Sequence, residues 1–273
     1  MAGRIIYGTA WREHRTPALV EAAVLKGFRA IDTACQPKHY REDLVGEALQ
    51  TLQTKHGIKR EDLWLQTKYT PIGGQSMSKP LPYNPDTSIT TQIQASFAKS
   101  LLNLRTTYID SYILHSPLPT LEKTLEAWAA MCALQDGGQL RKIGVSNTYD
   151  VHTLEALSAV RQVQVVQNRW HERNGWDKQV CSYCRDHGIE YQSFWTLSGS
   201  PSLLATPELV NIAKASSCTP AQALFKFAMM GGVTPLSGTT NEAHMEHGVA
   251  VSGLDLEDPS GQLKILEKLV WGA

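Results

Sequence analysis

The chain has 273 residues, of which 42% are hydrophobic, and this is ample for one packed core. Lys and Arg (26 together) balance Asp and Glu (26), so the zero formal charge argues against a global attraction to nucleic acid or to membranes. Five cysteines are an odd number, which argues against a disulfide framework.

Eight short apolar or β-branched segments read as strands. In chain order they are 4–9, 28–32, 63–68, 107–115, 142–147, 163–167, 189–194 and 233–237. Longer segments with apolar residues at i, i+3 and i+4 lie between them and predict helices. These helical segments are 16–27, 44–57, 86–104, 121–134, 150–160, 176–188 and 219–231.

Terminal signals support several of these helices. Thr206 and Thr219 each precede a proline, as a helix N-cap followed by proline at the first helical position would. Glycines are expected just after helix ends. Those that follow the predicted helices are Gly27, Gly57, Gly188 and Gly231.

The alternation of strands and helices predicts βαβ units and a parallel sheet. Eight units favour a closed (β/α)8 TIM barrel over an open sheet, and neither G-x-G-x-x-G nor a P-loop motif occurs. We expect one domain over residues 1–273. The loop 71–86 is rich in Gly, Pro and Ser, but it is too short and too central for a linker, so a functional loop is expected.

No signal peptide and no apolar stretch of about 20 residues is seen, so we expect a cytoplasmic protein that does not enter membranes. Cys181, Cys184 and His187 lie close together in the sequence. A structural zinc site needs four ligands at matching spacing, so we predict no metal site and interpret the cysteines as half-buried helix residues.

Polar residues end several of the predicted strands. Asp32, Lys68 and His115 close the second, third and fourth strands. The carboxyl ends of barrel strands converge on one face, which carries the active site, so these three side chains should meet there. Core packing would not select these residue types.

At these segments the chain resembles the aldo-keto reductase superfamily. The resemblance spans most of the chain, in family order. It is carried by GFRAIDTA (27–34), HYREDLVGEAL (39–49), REDLWLQTK (60–68), LRTTYIDSYILHSP (104–117), RKIGVSN (141–147), VVQNRWH (165–171) and SFWTL (193–197).

The resemblance implies a catalytic tetrad of Asp32, Tyr40, Lys68 and His115 that reduces an aldehyde or ketone. Tyr40 would donate a proton to the forming alkoxide, and the Lys68 ammonium would lower the pKa of the phenol. Asp32 would pair with Lys68, and His115 would orient the carbonyl oxygen. Tyr40 follows Asp32 by eight residues, more than the family pattern has, and the family's Asn is missing, so His39 is a competing donor.

The resemblance also implies a nicotinamide cofactor. Ser146 and Asn147 would bind its carboxamide beside Gln167, and Phe194 would stack on the ring near Leu197. Because no Lys or Arg occurs between Lys226 and Lys264, phosphate would rest on groups after the eighth strand. These groups are Ser237, Gly238, Thr239, Thr240 and His244. NADPH is expected, with NADH as the alternative.

Three tryptophans follow strand ends, namely Trp11, Trp170 and Trp195, and either core packing or a hydrophobic substrate wall would explain them. The chain enters its first strand early, and the segment beyond Gly253 is brief. We therefore expect a short N-terminal end, a reduced C-terminal substrate loop and an open pocket. The partner would be a small carbonyl compound, and the protein a monomer or weak oligomer.

Two other functions fit the same barrel. Lys68 could serve as a Schiff-base nucleophile, as the lysine of an aldolase does. The chain could also be a non-catalytic nicotinamide-binding sensor or subunit, since a fold does not determine a function.

Overall fold

A computed structural model describes residues 4–272, in which eight strands alternate with helices. The strands are β1 (Ile6–Gly8), β2 (Ala30–Asp32), β3 (Trp64–Tyr69), β4 (Ile109–Leu114), β5 (Leu140–Ser146), β6 (Val165–Arg169), β7 (Glu190–Phe194) and β8 (Val233–Ser237). The helices are α1 (Thr16–Leu25), α2 (Glu42–His56), α3 (Ile89–Leu104), α4 (Leu121–Asp136), α5 (Val151–Val160), α6 (Lys178–Asp186), α7 (Pro201–Leu204), α8 (Pro207–Ala215), α9 (Pro220–Met230), α10 (Glu242–Ala250) and α11 (Gln262–Val270).

All strand pairs are parallel, and the sheet closes on itself. Tyr7 of β1 lies opposite Ile31 of β2 on one side and opposite Ser237 of β8 on the other. Closure removes the unpaired edges of the sheet and brings the carboxyl ends of all eight strands to one face. The predicted (β/α)8 barrel and its eight strands are confirmed, with boundaries that shift by a few residues.

The helix ends follow local chemistry. The side chains of Thr206 and Thr219 accept hydrogen bonds from Leu209 N and Gln222 N, so both predicted N-caps are confirmed. Gly57 ends α2 with a φ of 67°, a left-handed conformation that glycine adopts at little cost.

One predicted glycine position is wrong. Gly231 has a φ of −77°, and the left-handed residue after α9 is its neighbour Gly232, with a φ of 84°. Four helices, α7, α8, α10 and α11, fall outside the predicted segments. The apolar periodicity of α10 is weak, since only Met245 and Gly248 of its residues are buried.

The main core lies between the barrel and the surrounding helices. Trp170 is fully buried there and packs against Trp176 and Trp271, with ring centroids 6.4 and 5.5 Å away. Trp271 follows α11, whose buried Leu266 and Val270 seat the helix on the body of the protein. The end of the described chain therefore packs on the core.

A buried carboxylate, Asp110 of β4, lies at the amino end of the barrel. It accepts hydrogen bonds from Arg60 Nη2 at 2.7 Å and from Arg141 Nη1 at 2.9 Å. Both guanidinium groups lie over the Tyr108 ring, 4.1 and 4.6 Å from its centroid. Leu65 N also donates to Asp110, at 2.9 Å, which ties the β3 backbone to this cluster.

No described helix is both long and apolar enough to cross a bilayer.

Candidate active site

A buried ion pair joins β2 and β3 at the carboxyl end of the barrel. Lys68 Nζ donates to both carboxylate oxygens of Asp32, at 2.7 and 2.6 Å, and to Thr33 O at 2.8 Å. Burial lowers the pKa of Lys68, and the adjacent Asp32 opposes this effect. A lysine with three oxygen acceptors and a carboxylate partner can remain an ammonium in a buried place.

Tyr40 stands beside this pair. Lys68 Nζ lies 5.3 Å from the centroid of the Tyr40 ring. Burial, and the nearby Asp32 charge, raise the pKa of the Tyr40 phenol above its usual value. This differs from the expected lowering, because burial and the Asp32 charge both disfavour the tyrosinate, while the Lys68 protons are directed to Asp32 and Thr33 O.

His115 forms the other side of the Tyr40 environment, with ring centroids 5.9 Å apart in an edge-on arrangement. Burial, and then the Lys68 charge, lower the pKa of His115 well below its usual value, so the imidazole is neutral at neutral pH. Its Nδ1 lies 2.6 Å from Thr70 Oγ1. A neutral imidazole held at Nδ1 presents the other ring nitrogen for a hydrogen bond.

The loop 71–86 braces this contact. Tyr83 hydroxyl donates to Thr70 O at 2.7 Å, and Gln75 Nε2 donates to the same oxygen at 3.2 Å. The loop therefore has a local structural role beside the site: it fixes the residue that pairs with His115.

His39, the competing donor, occupies a different position. Its ring lies against the Trp11 indole, with centroids 3.8 Å apart. Burial and the Lys38 charge lower the pKa of His39. Tyr40, and not His39, is the neighbour of the ion pair.

The β5 and β6 ends carry the amides expected to bind carboxamide. Asn147 has a left-handed φ of 53°, which Asn tolerates, and its Nδ2 donates to His115 O at 2.8 Å. Asn147 does not cap α5, because Asp150 does. Ser146 Oγ donates to Gln167 O at 2.6 Å, and Gln167 directs Nε2 into the barrel, so its Oε1 is the atom left for a ligand.

Arg169 is a residue that sequence reasoning missed. Its Nη1 donates to Asn147 Oδ1 at 3.0 Å. Its guanidinium carbon lies 5.2 Å from the Phe194 ring centroid and 4.6 Å from that of Trp195. Arg169 therefore braces both the amide and the aromatic ring that were predicted to contact nicotinamide.

Two loops present backbone amides at this end. Within residues 4–272, the N–H groups of 196–198, after β7, and of 238–240, after β8, form no hydrogen bond. Successive free amides of this kind bind anions. Arg12, from the loop after β1, donates Nη2 to Gly238 O and brings a positive charge to the second run.

Most of these groups line one cavity of about 620 Å³, whereas Lys68 lies behind its wall. Two of the three predicted tryptophans, Trp11 and Trp195, line the cavity and are 65% and 52% exposed. Its wall also includes most of the site residues predicted from strand ends and from the family resemblance. These are Asp32, Tyr40, His115, Ser146, Asn147, Gln167, Phe194, Leu197, Ser237, Gly238 and Thr239.

Some predicted residues lie elsewhere. Trp170 faces the core, so the substrate wall predicted for it is wrong. Thr240 and His244 do not line the cavity; His244 sits in the first turn of α10, where its N–H donates to Asn241 Oδ1. No described residue after Thr239 contributes to the cavity wall.

Comparison with known proteins places this arrangement in a family. The aldo/keto reductase family model matches residues 4–268. The glyoxal reductase of Bacillus subtilis is 30% identical over 82% of this chain and 72% of its own length. The methylglyoxal reductase DkgB of Escherichia coli is 28% identical over 87% of this chain and 82% of its own.

Solved structures agree on the fold. An aldo/keto reductase of Brucella melitensis superposes with a TM-score of 0.79 at 24% identity, covering 97% of this chain and 94% of that one. An aldo-keto reductase of the silkworm Bombyx mori, in complex with NADP, gives 0.80 at 19% identity over 98% and 89%. The chain belongs to the aldo/keto reductase family. The family, the fold and the enzyme class predicted from sequence, an oxidoreductase of this type, are confirmed.

Proposed function

We propose that this protein reduces the carbonyl group of a small aldehyde or ketone with NADPH, and that Tyr40 donates the proton. The observation that carries the proposal is the Asp32–Lys68 ion pair beside Tyr40 and a neutral His115, at one cavity. Because the glyoxal and methylglyoxal reductases are relatives, 2-oxoaldehydes are the first substrates to test.

The cavity has the donors that a dinucleotide needs. The free amides of 196–198 and 238–240 would bind the diphosphate, and Gln167 Oε1 would accept from the carboxamide. Phe194 offers a flat ring to the nicotinamide. NADPH, when bound, supplies the hydride that adds to the carbonyl carbon.

Arg12 would supply the positive charge at the phosphate site, since the segment between Lys226 and Lys264 contains no Lys or Arg. Its guanidinium meets the loop after β8 through Gly238 and supplies the charge that a phosphate requires. This favours NADPH, and NADH is the alternative outcome of the binding test.

Side chains of the protein would transfer the proton to the carbonyl oxygen. Tyr40 hydroxyl donates it to the carbonyl oxygen as negative charge develops there, and Lys68 stabilises the resulting phenolate. The neutral His115 holds the same oxygen with its free ring nitrogen, because Nδ1 is engaged by Thr70. Lys68 is 1% exposed and does not line the cavity, so a Schiff base on this lysine has no support.

The test is NADPH oxidation with a panel that begins with methylglyoxal, in wild type, Tyr40→Phe and His39→Phe. We expect Tyr40→Phe to lower kcat by about a hundred- to ten-thousand-fold, because the general acid is lost, while NADPH still quenches tryptophan fluorescence. His39→Phe, which keeps the ring on Trp11, should retain kcat within about threefold. The opposite ranking would assign the proton to His39, and bound NADPH without turnover in wild type would favour the sensor.

We further propose a single domain over residues 1–273, a cytoplasmic location and a monomer or weak oligomer. All five cysteines are free thiols, which is typical of a reducing compartment.

A further inference from the structure

Three buried glutamines fill the barrel interior beneath the ion pair. Gln66 Nε2 donates to Asp32 Oδ1 at 2.7 Å and to Gln192 Oε1 at 2.7 Å. Gln167 Nε2 donates to the same two atoms, at 3.0 and 3.1 Å. Gln66, Gln167 and Gln192 are called the glutamine bridge below.

The orientation of the bridge is determined by its neighbours. Both hydrogens of Gln66 Nε2 face acceptors, and the flipped amide would place its oxygen against the Asp32 carboxylate. Gln66 Oε1 is left buried without a hydrogen-bond partner within residues 4–272. An unsatisfied buried carbonyl costs about 1–3 kcal/mol, whereas an apolar residue here would avoid that cost.

The bridge is anchored from below. Gln192 Nε2 donates to Glu190 Oε1 at 3.1 Å. Glu190 is in turn paired with Lys142, whose Nζ lies 3.1 Å from Oε2, and with Arg4, whose Nη2 lies 2.8 Å from Oε1. The bridge therefore connects Asp32 to a carboxylate that is itself paired with two cations.

The hydrogen bonds at Asp32 are distributed unequally. Oδ1 accepts from Lys68, Gln66 and Gln167, whereas Oδ2 accepts from Lys68 alone among the described residues 4–272. Loss of the Lys68 bond at Oδ1 would leave that oxygen with two amide donors. Lys68 would still be paired through Oδ2.

We propose that Gln66 and Gln192 are positioning residues that keep Asp32 satisfied from the barrel interior. Lys68 can then release Oδ1 and turn one N–H towards the Tyr40 hydroxyl as the phenol loses its proton. Gln66 acts by donating to Asp32, and Gln192 acts by fixing the Gln66 and Gln167 amides. This role rests on the proposed function of Tyr40.

Other titratable groups face the same place. Glu42, at the start of α2, favours the charged form of Lys68, and Asp32 disfavours the tyrosinate. His115, after β4, is neutral and adds no charge. These groups are unchanged in the Gln66 and Gln192 variants. A change in the pH of Tyr40 ionisation in those variants can therefore be attributed to the loss of the glutamine bridge.

The test uses Gln66→Met and Gln192→Met, which remove the amide at similar length. Gln92→Met is the matched control. Gln92 is also buried, donates to Pro85 O and Thr87 O and accepts from the Tyr69 hydroxyl, and it contacts neither Asp32 nor the glutamine bridge. Each protein is titrated with NADP⁺ bound. Tyrosinate ultraviolet absorbance is taken as the difference from the same protein carrying Tyr40→Phe, and the pH profile of kcat is measured alongside.

Without the bridge, Lys68 stays on Oδ1 and stabilises the phenolate less. We expect both glutamine variants to raise the pH of Tyr40 ionisation and the basic limb of kcat by about one unit. Reduction at neutral pH should slow about tenfold, with KM for the carbonyl within about twofold. Gln92→Met should shift neither the ionisation nor the limb, although its unfolding midpoint falls.

An unshifted Tyr40 titration in a folded Gln66→Met or Gln192→Met protein overturns the inference. If Gln66→Met does not fold, Gln192→Met decides. It keeps the Gln66 amide but removes the acceptor that fixes the Gln66 and Gln167 side chains. The absorbance titration needs no turnover, so it decides even if wild type reduces no carbonyl in the panel. That failure would count against the proposed function alone.

Discussion

Two carboxylates at opposite ends of the barrel are almost equally buried but are held differently. Asp110, at the amino end, has two arginines and a backbone amide as donors. Asp32, at the carboxyl end, has one lysine and two neutral amides as donors. Asp32 lines the cavity of about 620 Å³, and Asp110 lines a smaller one of about 380 Å³.

The difference separates stability from chemistry. An arginine stays protonated at any ordinary pH and fixes a carboxylate through a rigid fork. A lysine is a compact donor on a flexible stem, and it can exchange one acceptor for another. The arginines therefore hold Asp110 in one arrangement at the amino end. At the carboxyl end, Lys68 can exchange one acceptor for another when a proton is transferred.

The largest expected effect tests this separation directly. Asp110→Asn leaves two guanidinium groups against a neutral amide, and we expect it to lower the free energy of unfolding by about 3–5 kcal/mol. The kcat of the folded protein should stay within about threefold of wild type. Urea unfolding and kcat at low temperature measure the two effects.

Asp32→Asn is the counterpart at the other end. It removes the partner of Lys68 and should lower kcat by about a hundredfold or more as well as stability. If Asp110→Asn reduces kcat of folded protein as strongly as Asp32→Asn does, the two ends are not separable in this way.

A third buried carboxylate sharpens the comparison, because Asp177 has no cation within residues 4–272. It accepts from Asn168 Nδ2 and from Tyr191 hydroxyl, both at 2.8 Å, and burial raises its pKa to about 6. The folded state thus binds a proton more tightly than the unfolded chain. Its contribution is fully present below about pH 4 and is lost as pH rises through about 6.

We therefore expect Asp177→Asn to gain stability relative to wild type as pH rises from about 4 to 7, by on the order of 3 kcal/mol. Chemical unfolding at several pH values measures this difference. A difference between Asp177→Asn and wild type that stays constant over this pH range contradicts the prediction.

The smallest expected effect concerns Arg12 at the open end. Arg12→Met should raise KM for NADPH about tenfold, with little change in kcat, because it removes a charge from the loop after β8. Arg15→Met is the control, since Arg15 is exposed and does not line the cavity. Equal KM values in the two variants would remove Arg12 from the phosphate site.

The residue pattern was sufficient for the barrel and for much of the site. Alternating strands and amphipathic helices have few compact solutions, and strand ends converge on one face of a closed sheet. Asp32, Lys68 and His115 could therefore be grouped from their positions alone. The role of Tyr40 came from the family resemblance and stays a proposal.

Side-chain direction was less predictable. Arg169 ends β6 and lines the cavity, but its neighbour Trp170 points to the helix layer, because successive residues along a strand face opposite sides. A boundary error of one residue reverses that assignment. The glutamines of β3 and β7 were overlooked for a related reason, since a lone Gln in an apolar strand carries no local signal.

The sequence by itself determined the order of the eight strands, the closed barrel and the residue types at its open face, because periodicity and strand-end position are local properties of the chain. Only the tertiary structure decided that Arg12 meets Gly238 and that Gln66 meets Gln192. These contacts join residues more than a hundred positions apart. The register and tilt of a closed sheet set them, and no local pattern encodes either quantity.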